Sequence, residues 1–126
     1  VVRQGMSPGP LPGPNGFVPG VGRLCGQSRA NGAVPVLFAT WAYQKGGANL
    51  AAKGWDYDGM ASQLAEAYRK AALDNRALLA DVGGRFYRWP DPRELYAADG
   101  VHPSELGSRM AAETIADVIR HHKEAE

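Results

Sequence analysis

The 126-residue sequence has one cysteine, Cys25, which excludes an internal disulfide framework and any multi-cysteine zinc site. It lacks an apolar run of bilayer length, because Gly, Pro or charge interrupts the longest ones. Its first residues, Val1-Val2-Arg3-Gln4, include neither a basic segment nor a long apolar stretch, so neither a membrane span nor a signal peptide is expected. A charge excess is missing too. The 14 Lys+Arg and 13 Asp+Glu give +1 and are scattered, which leaves no electrostatic footprint for nucleic acid. His121, His122 and Asp117 are the one cluster with metal-ligand chemistry. Adjacent helical histidines point about 100° apart, so no metal site and no cofactor is expected.

What is present fits one small domain over residues 1–126. The chain is 44% hydrophobic and 21% charged, enough for one core and too short for two. A Pro/Gly-rich stretch from Met6 to Gly22 predicts an irregular opening. The spacing of Val21, Leu24, Cys25 and Ser28 predicts a helix over Val21 to Ala30, stopped by Asn31-Gly32, with Cys25 in the core. Val34 to Thr40 is a continuous apolar, β-branched run, as expected of an interior parallel strand covered on both faces. From Asp58 to Leu79 one stripe (Met60, Leu64, Ala67, Tyr68, Ala71, Ala72, Asn75, Leu78, Leu79) predicts a helix with Glu66 and Lys70 paired outside. A short strand over Leu79 to Val82, closed by Gly83-Gly84, and an aromatic loop through Phe86, Tyr87 and Trp89 follow. The last helix starts at Pro103, with Leu106, Met110, Ile115, Val118 and Ile119 as its expected buried face. Alternating strands and helices assemble most simply as a parallel α/β layered domain, with sites at the carboxyl ends of the strands.

The chemistry concentrates in Asp99-Gly100-Val101-His102-Pro103, directly before that helix. A histidine acting as general base needs an acceptor on its Nδ1 side, and an Asp one tight turn away can supply it. The structural alternative is a turn-stabilising Asp99 with His102 capping the helix. Trp41 and Tyr43, after the central strand, either line an acyl or sugar pocket or simply pack.

Asp99-Gly100-Val101-His102-Pro103, with Ser104 and Gly107 in the turn and an apolar helix behind, resembles the final conserved block of the SGNH, or GDSL-type, serine esterases and lipases. The strand ending Phe38-Ala39-Thr40-Trp41-Ala42-Tyr43 is similar to their bacterial branch, and the order of elements agrees from Val1 to about Ile119. The resemblance implies a three-layer α/β/α domain with a flavodoxin-like parallel sheet. It also implies an esterase in which Asp99 orients His102. Val1-Val2-Arg3-Gln4 resembles the strand before the third block, making Gln4 the oxyanion candidate.

The Gly-Asp-Ser or Gly-Asn-Ser block that presents the family's nucleophile has no counterpart in these residues. The expectation is a carboxyl-terminal portion of an SGNH domain, without the first strand and nucleophile block. Ser7 is a weak internal candidate, in a loop with nothing to activate it; Ser28 reads as a helix-face residue and Ser104 as a helix cap. Two functions remain open. One is hydrolysis of a small-molecule or carbohydrate acyl ester, the nucleophile coming from another segment or chain. The other is a non-catalytic binding or assembly module. An incomplete sheet implies an open edge, hence a homo-oligomer or a complementing chain.

Overall fold

The computed structural model describes residues 2–3 and 17–125. Gln4 and Ser7, the oxyanion and internal nucleophile candidates, lie outside the described residues. The elements are β1 (Val2–Arg3), α1 (Phe17–Ala30), β2 (Val36–Phe38), α2 (Ala48–Lys53), α3 (Tyr57–Asp74), β3 (Leu78–Ala80), α4 (Val82–Arg88), a 3₁₀ turn (Pro92–Leu95) and α5 (Glu105–Ala125). The strands form a parallel sheet in the order β1-β2-β3, with Val2 opposite Val36 and Leu37 opposite Leu79. The apolar run thus supplies the central strand, as its composition indicates. Its regular part is shorter than Val34 to Thr40. Pro35 precedes it, and beyond Phe38 the Ala39 carbonyl accepts from Gly83 N–H of α4 at 2.8 Å.

The pleat of β2 builds two cores. Leu37 and Ala39 face one side, where Cys25 of α1 and Met60, Leu64, Tyr68, Ala71 and Ala72 of α3 cover them. Phe38 packs on the opposite cluster, where Trp41, Val82, Phe86, Leu95, Tyr96, Met110 and Ala111 assemble from α4, the 3₁₀ turn and α5. Helices on both faces of a parallel sheet make the three-layer α/β/α arrangement.

Four local expectations are corrected. Helix α1 begins at Phe17 rather than Val21, because Pro19 falls in the first turn, where its missing N–H has no partner to lose. Helix α3 ends at Asp74 rather than continuing to Leu79. Asn75 donates its side-chain amide to the Ala71 carbonyl (2.9 Å), Arg76 turns the chain at φ 51°, and Leu78 and Leu79 enter β3. The exposed ion pairs of α3 are Glu66–Arg69 and Lys70–Asp74, not Glu66–Lys70. Gly83-Gly84 does not close a strand; it opens α4, capped by the Asp81 carboxylate on Gly84 N–H, and Phe86 and Tyr87 are helical.

A fifth correction concerns α5. Its inward face is Gly107, Met110, Ala111 and Thr114. Of the expected apolar face only Met110 is fully buried, while Leu106 and Ile119 are exposed. Small residues decide this, because they let the helix approach the 3₁₀ turn and α4 more closely than Leu or Ile can. Ser104 caps the helix by accepting from Gly107 N–H at 3.1 Å, and Pro103 stands outside it, bridged to Tyr96.

The start of α4 lies against the end of β2 with no room for a side chain. A Cβ on Gly83 would stand 2.1 Å from the Thr40 carbonyl oxygen, and both groups are backbone. Gly83→Ala is therefore expected to destabilise the fold by roughly 1–3 kcal/mol, despite alanine's better helix propensity. The midpoint of urea unfolding measures it; an unchanged midpoint would show that α4 can move away.

Candidate active site

Between Tyr96 and Pro103 the chain makes a closed loop whose neck is the antiparallel bridge between those two residues. Ala97 N–H donates to the His102 carbonyl at 2.8 Å and Gly100 N–H to the Ala97 carbonyl at 3.0 Å. Gly100 sits at φ 71°, the left-handed conformation a residue without Cβ takes at little cost, and the turn lets the chain fold back on Asp99. The two oxygens of Asp99 then divide their work. Oδ1 accepts the backbone N–H groups of Val101 and His102, both at 2.9 Å. Oδ2 faces Nδ1 of His102 at 2.5 Å.

Asp99 thus stabilises the turn and also holds the imidazole. His102 does not cap α5, a task that belongs to Ser104. The His102 side chain is 76% exposed and that of Asp99 49%, so the pair sits open at the surface. The His102 hydrogen bond, followed by the two backbone N–H groups, lowers the Asp99 carboxyl from 3.8 to about 2.

The segment leaving β2 grips this loop from outside. The Trp41 indole Nε1–H donates to the Val101 carbonyl at 2.8 Å, Gln44 N–H to the Gly100 carbonyl at 2.9 Å and the Asn49 side-chain amide to the Asp99 carbonyl at 2.8 Å. Tyr96 donates its hydroxyl to the Ala42 carbonyl at 2.6 Å, and burial above all keeps that phenol protonated, pushing it well above its ordinary range. Trp41, one of the two aromatics expected to line a pocket or pack, is a buried residue stacked on Phe86 at 4.4 Å. Tyr43 is half-buried and stacks against Trp55. Trp55 lines a shallow groove of about 390 Å³ over α2 with Lys45, Leu50 and Tyr57. Asn49 carried no sequence signal, since nothing in its neighbourhood announces a contact fifty residues away.

A cleft of about 280 Å³ lies between α3 and α4, with Thr40, Asp58, Ser62, Asp81, Tyr87 and Arg88 on its walls. Neither Asp99 nor His102 lines it, so this cleft and the Asp99–His102 pair are separate. Among the described residues no three His, Cys, Asp or Glu side chains gather as a metal site. Asp117 pairs with Arg120, and among the described residues no helix is long and apolar enough to cross a membrane. Ser28 donates to the Leu24 carbonyl within α1 and Ser104 to the Glu94 carbonyl, so both hydroxyls are engaged.

A carboxyl group whose folded pKa is depressed adds stability above its unfolded pKa, and that stability is lost as pH falls through the folded value. For Asp99 the window runs from about 4 in the unfolded chain down to about 2 in the folded one. Asp99→Asn is expected to flatten the acid limb of the melting-temperature profile across that window. Glu66 and Asp91 are also held low by arginine partners, so the readout is the difference between the two curves. Parallel curves would mean that the carboxylate adds nothing to the fold.

Compared with known proteins, the chain matches no protein-family model and no curated protein. It is similar to the solved structure of a provisionally assigned SGNH hydrolase from Slackia heliotrinireducens, with 45% identity and a TM-score of 0.88. The match covers 94% of this chain and 64% of that one, so the chain spans under two thirds of its relative's length. The motif before the terminal helix, the parallel sheet and this match agree: the chain is related to the SGNH hydrolases and carries part of their α/β fold.

Proposed function

We propose that this chain supplies the acid/base pair of a serine-type hydrolase of O-acyl esters, with the nucleophilic serine contributed by a segment outside these residues or by a complementing chain. The observation that carries the reading is the 2.5 Å contact between Asp99 Oδ2 and His102 Nδ1 on an exposed imidazole. With Nδ1–H held by the carboxylate, Nε2 is the basic nitrogen. It takes the serine hydroxyl proton as Oγ attacks the ester carbonyl. The oxyanion that forms is held by backbone N–H groups and, in this reading, by the Gln4 amide. On collapse His102 returns the proton to the departing alkoxide, and a water molecule then releases the acid by the same two steps. The substrate class is a small-molecule or carbohydrate acyl ester.

The test is hydrolysis of p-nitrophenyl acetate by the chain together with the segment encoded upstream of it. His102→Ala is expected to lower kcat by about 10⁴-fold, the scale on which triad members act. Labelling by a fluorophosphonate should place one adduct on the upstream segment and none on these 126 residues. An adduct within this chain would overturn the assignment of the nucleophile. Absence of both labelling and turnover in the combined protein would favour the second reading, a non-catalytic binding or assembly module, which the openness of the pair supports.

The same reading extends to assembly. Val2 is exposed on the edge strand β1, and Leu106 and Ile119 are exposed on α5. Unpaired edges and apolar surface favour association. Sedimentation of the chain alone is expected to show a homo-oligomer, whereas a stable, monodisperse monomer would refute this.

A further inference from the structure

We propose that Asn49 and Trp41 are positioning residues that hold the Asp99–His102 pair in its working geometry, an inference that rests on that pair being the acid/base unit. The internal bonds of the loop from Tyr96 to Pro103 define its shape, but not where that shape stands relative to the sheet. Burial does not define it either, since the two side chains are 49% and 76% exposed. Tyr96 on the Ala42 carbonyl and Ser104 on the Glu94 and Leu95 carbonyls fix its neck; its tip is placed by a run of three consecutive carbonyls, those of Asp99, Gly100 and Val101. Each accepts one hydrogen bond, from Asn49, Gln44 and Trp41 in turn, and all three donors belong to the single segment that leaves β2 and enters α2.

Both ends of that clamp are rooted in packed structure. Trp41 is buried, stacks on the fully buried Phe86 and meets Phe38 edge-on at 6.0 Å. Asn49 lies on α2 beside Leu50, which is buried in the core on the opposite face of the sheet. The loop carrying the imidazole is therefore tied to both cores. The fit is close as well: a Cβ on Gly100 would stand 3.4 Å from Gln44 Cβ and 3.6 Å from Asn49 Nδ2. Asn49 holds the peptide of Asp99 itself, the residue whose carboxylate must keep facing Nδ1. Without that bond the Asp99 peptide is held only through its neighbours, and the three bonds made by Oδ1 and Oδ2 shift with it. The Gln44 donor is a backbone N–H, so side-chain changes at 41 and 49 isolate the clamp.

The test is nuclear magnetic resonance on this chain and on Asn49→Ala, Asn49→Asp and Trp41→Phe, with the melting temperature as control for the fold. Asn49→Asp is nearly isosteric and sets a carboxylate oxygen against the Asp99 carbonyl, whereas Trp41→Phe keeps an aromatic ring on Phe86 and removes only the donor. In the wild type the His102 Nδ1–H proton is expected at low field, and the Asp99 carboxyl carbon should titrate near about 2. In the variants the low-field proton should broaden or vanish and the Asp99 midpoint move up towards the ordinary carboxylate value, most in Asn49→Asp, with little change in melting temperature. A lost tertiary contact with no positioning role would move the melting temperature and leave the His102 resonance and the Asp99 midpoint in place. Wild-type values for both readouts in all three variants would overturn the proposal. A wild-type chain with no low-field proton and an ordinary Asp99 titration would show that the pair itself does not form, and the proposal would fall with it. Should Trp41→Phe not fold, the two Asn49 variants decide the matter.

Discussion

An ionised carboxylate in a short surface loop has more acceptor capacity than solvent alone need satisfy, and Asp99 places that capacity on three donors within three residues. The turn exists because Oδ1 gathers two backbone N–H groups, and the imidazole is oriented because the same turn leaves Oδ2 facing Nδ1. Stability of the loop and orientation of the imidazole are therefore one interaction. A residue that lacked either oxygen's geometry would lose both, and this is why the structural and the chemical reading of the motif are two descriptions of one side chain.

That local unit is useful only where it is placed, and placement comes from the layers. Alternation along β2 sends Leu37 and Ala39 to one core and Phe38 to the other. Just past the strand the chain drops Trp41 into the second core, with its indole N–H turned towards the loop before α5. The small face of α5 brings the loop's other end near, with Ser104 N–H on the Leu95 carbonyl and the Ser104 hydroxyl on that of Glu94. Gly83 and Gly107 matter for the same reason. They permit backbone approaches that bring α4 and α5 close enough for the aromatic cluster of Trp41, Phe86 and Tyr96 to close.

Kinship with the SGNH hydrolases bears on how the pair and its surroundings divide the chemistry. The hydrogen bonds that shape the pair and hold its loop come from residues between Trp41 and Ser104. Asp99, His102 and the segment that holds them thus form one connected unit. In a sheet of this type, further groups reach a site from other strand ends. The wide exposure of His102 leaves its ring open to a neighbouring surface.

Much of this was legible in the residues. The β-branched run at Val34 to Thr40 marked the central strand because burial on both faces demands unbroken apolar sequence, and the stripe from Met60 to Ala72 marked α3 because one helical face must meet the sheet. The spacing of Asp99 and His102, with a turn-forming glycine between them, determined their contact, since three residues in a tight turn leave the side chains little else to reach. Other features depended on the tertiary structure. Leu78 and Leu79 continue a helical spacing, yet they became β3 because pairing with β2 satisfies their backbone. Val82 to Arg88 became a helix although its first turn holds two glycines, because Asp81 caps it and the end of β2 leaves no room for a side chain at Gly83. The inward face of α5 was chosen by closeness of approach rather than by hydrophobicity, which turned Leu106 and Ile119 outwards. Asn49 was silent in the sequence for the same underlying reason. A short motif encodes contacts between near neighbours, whereas a hydrogen bond to a carbonyl fifty residues away is created only when packed layers bring two backbones together.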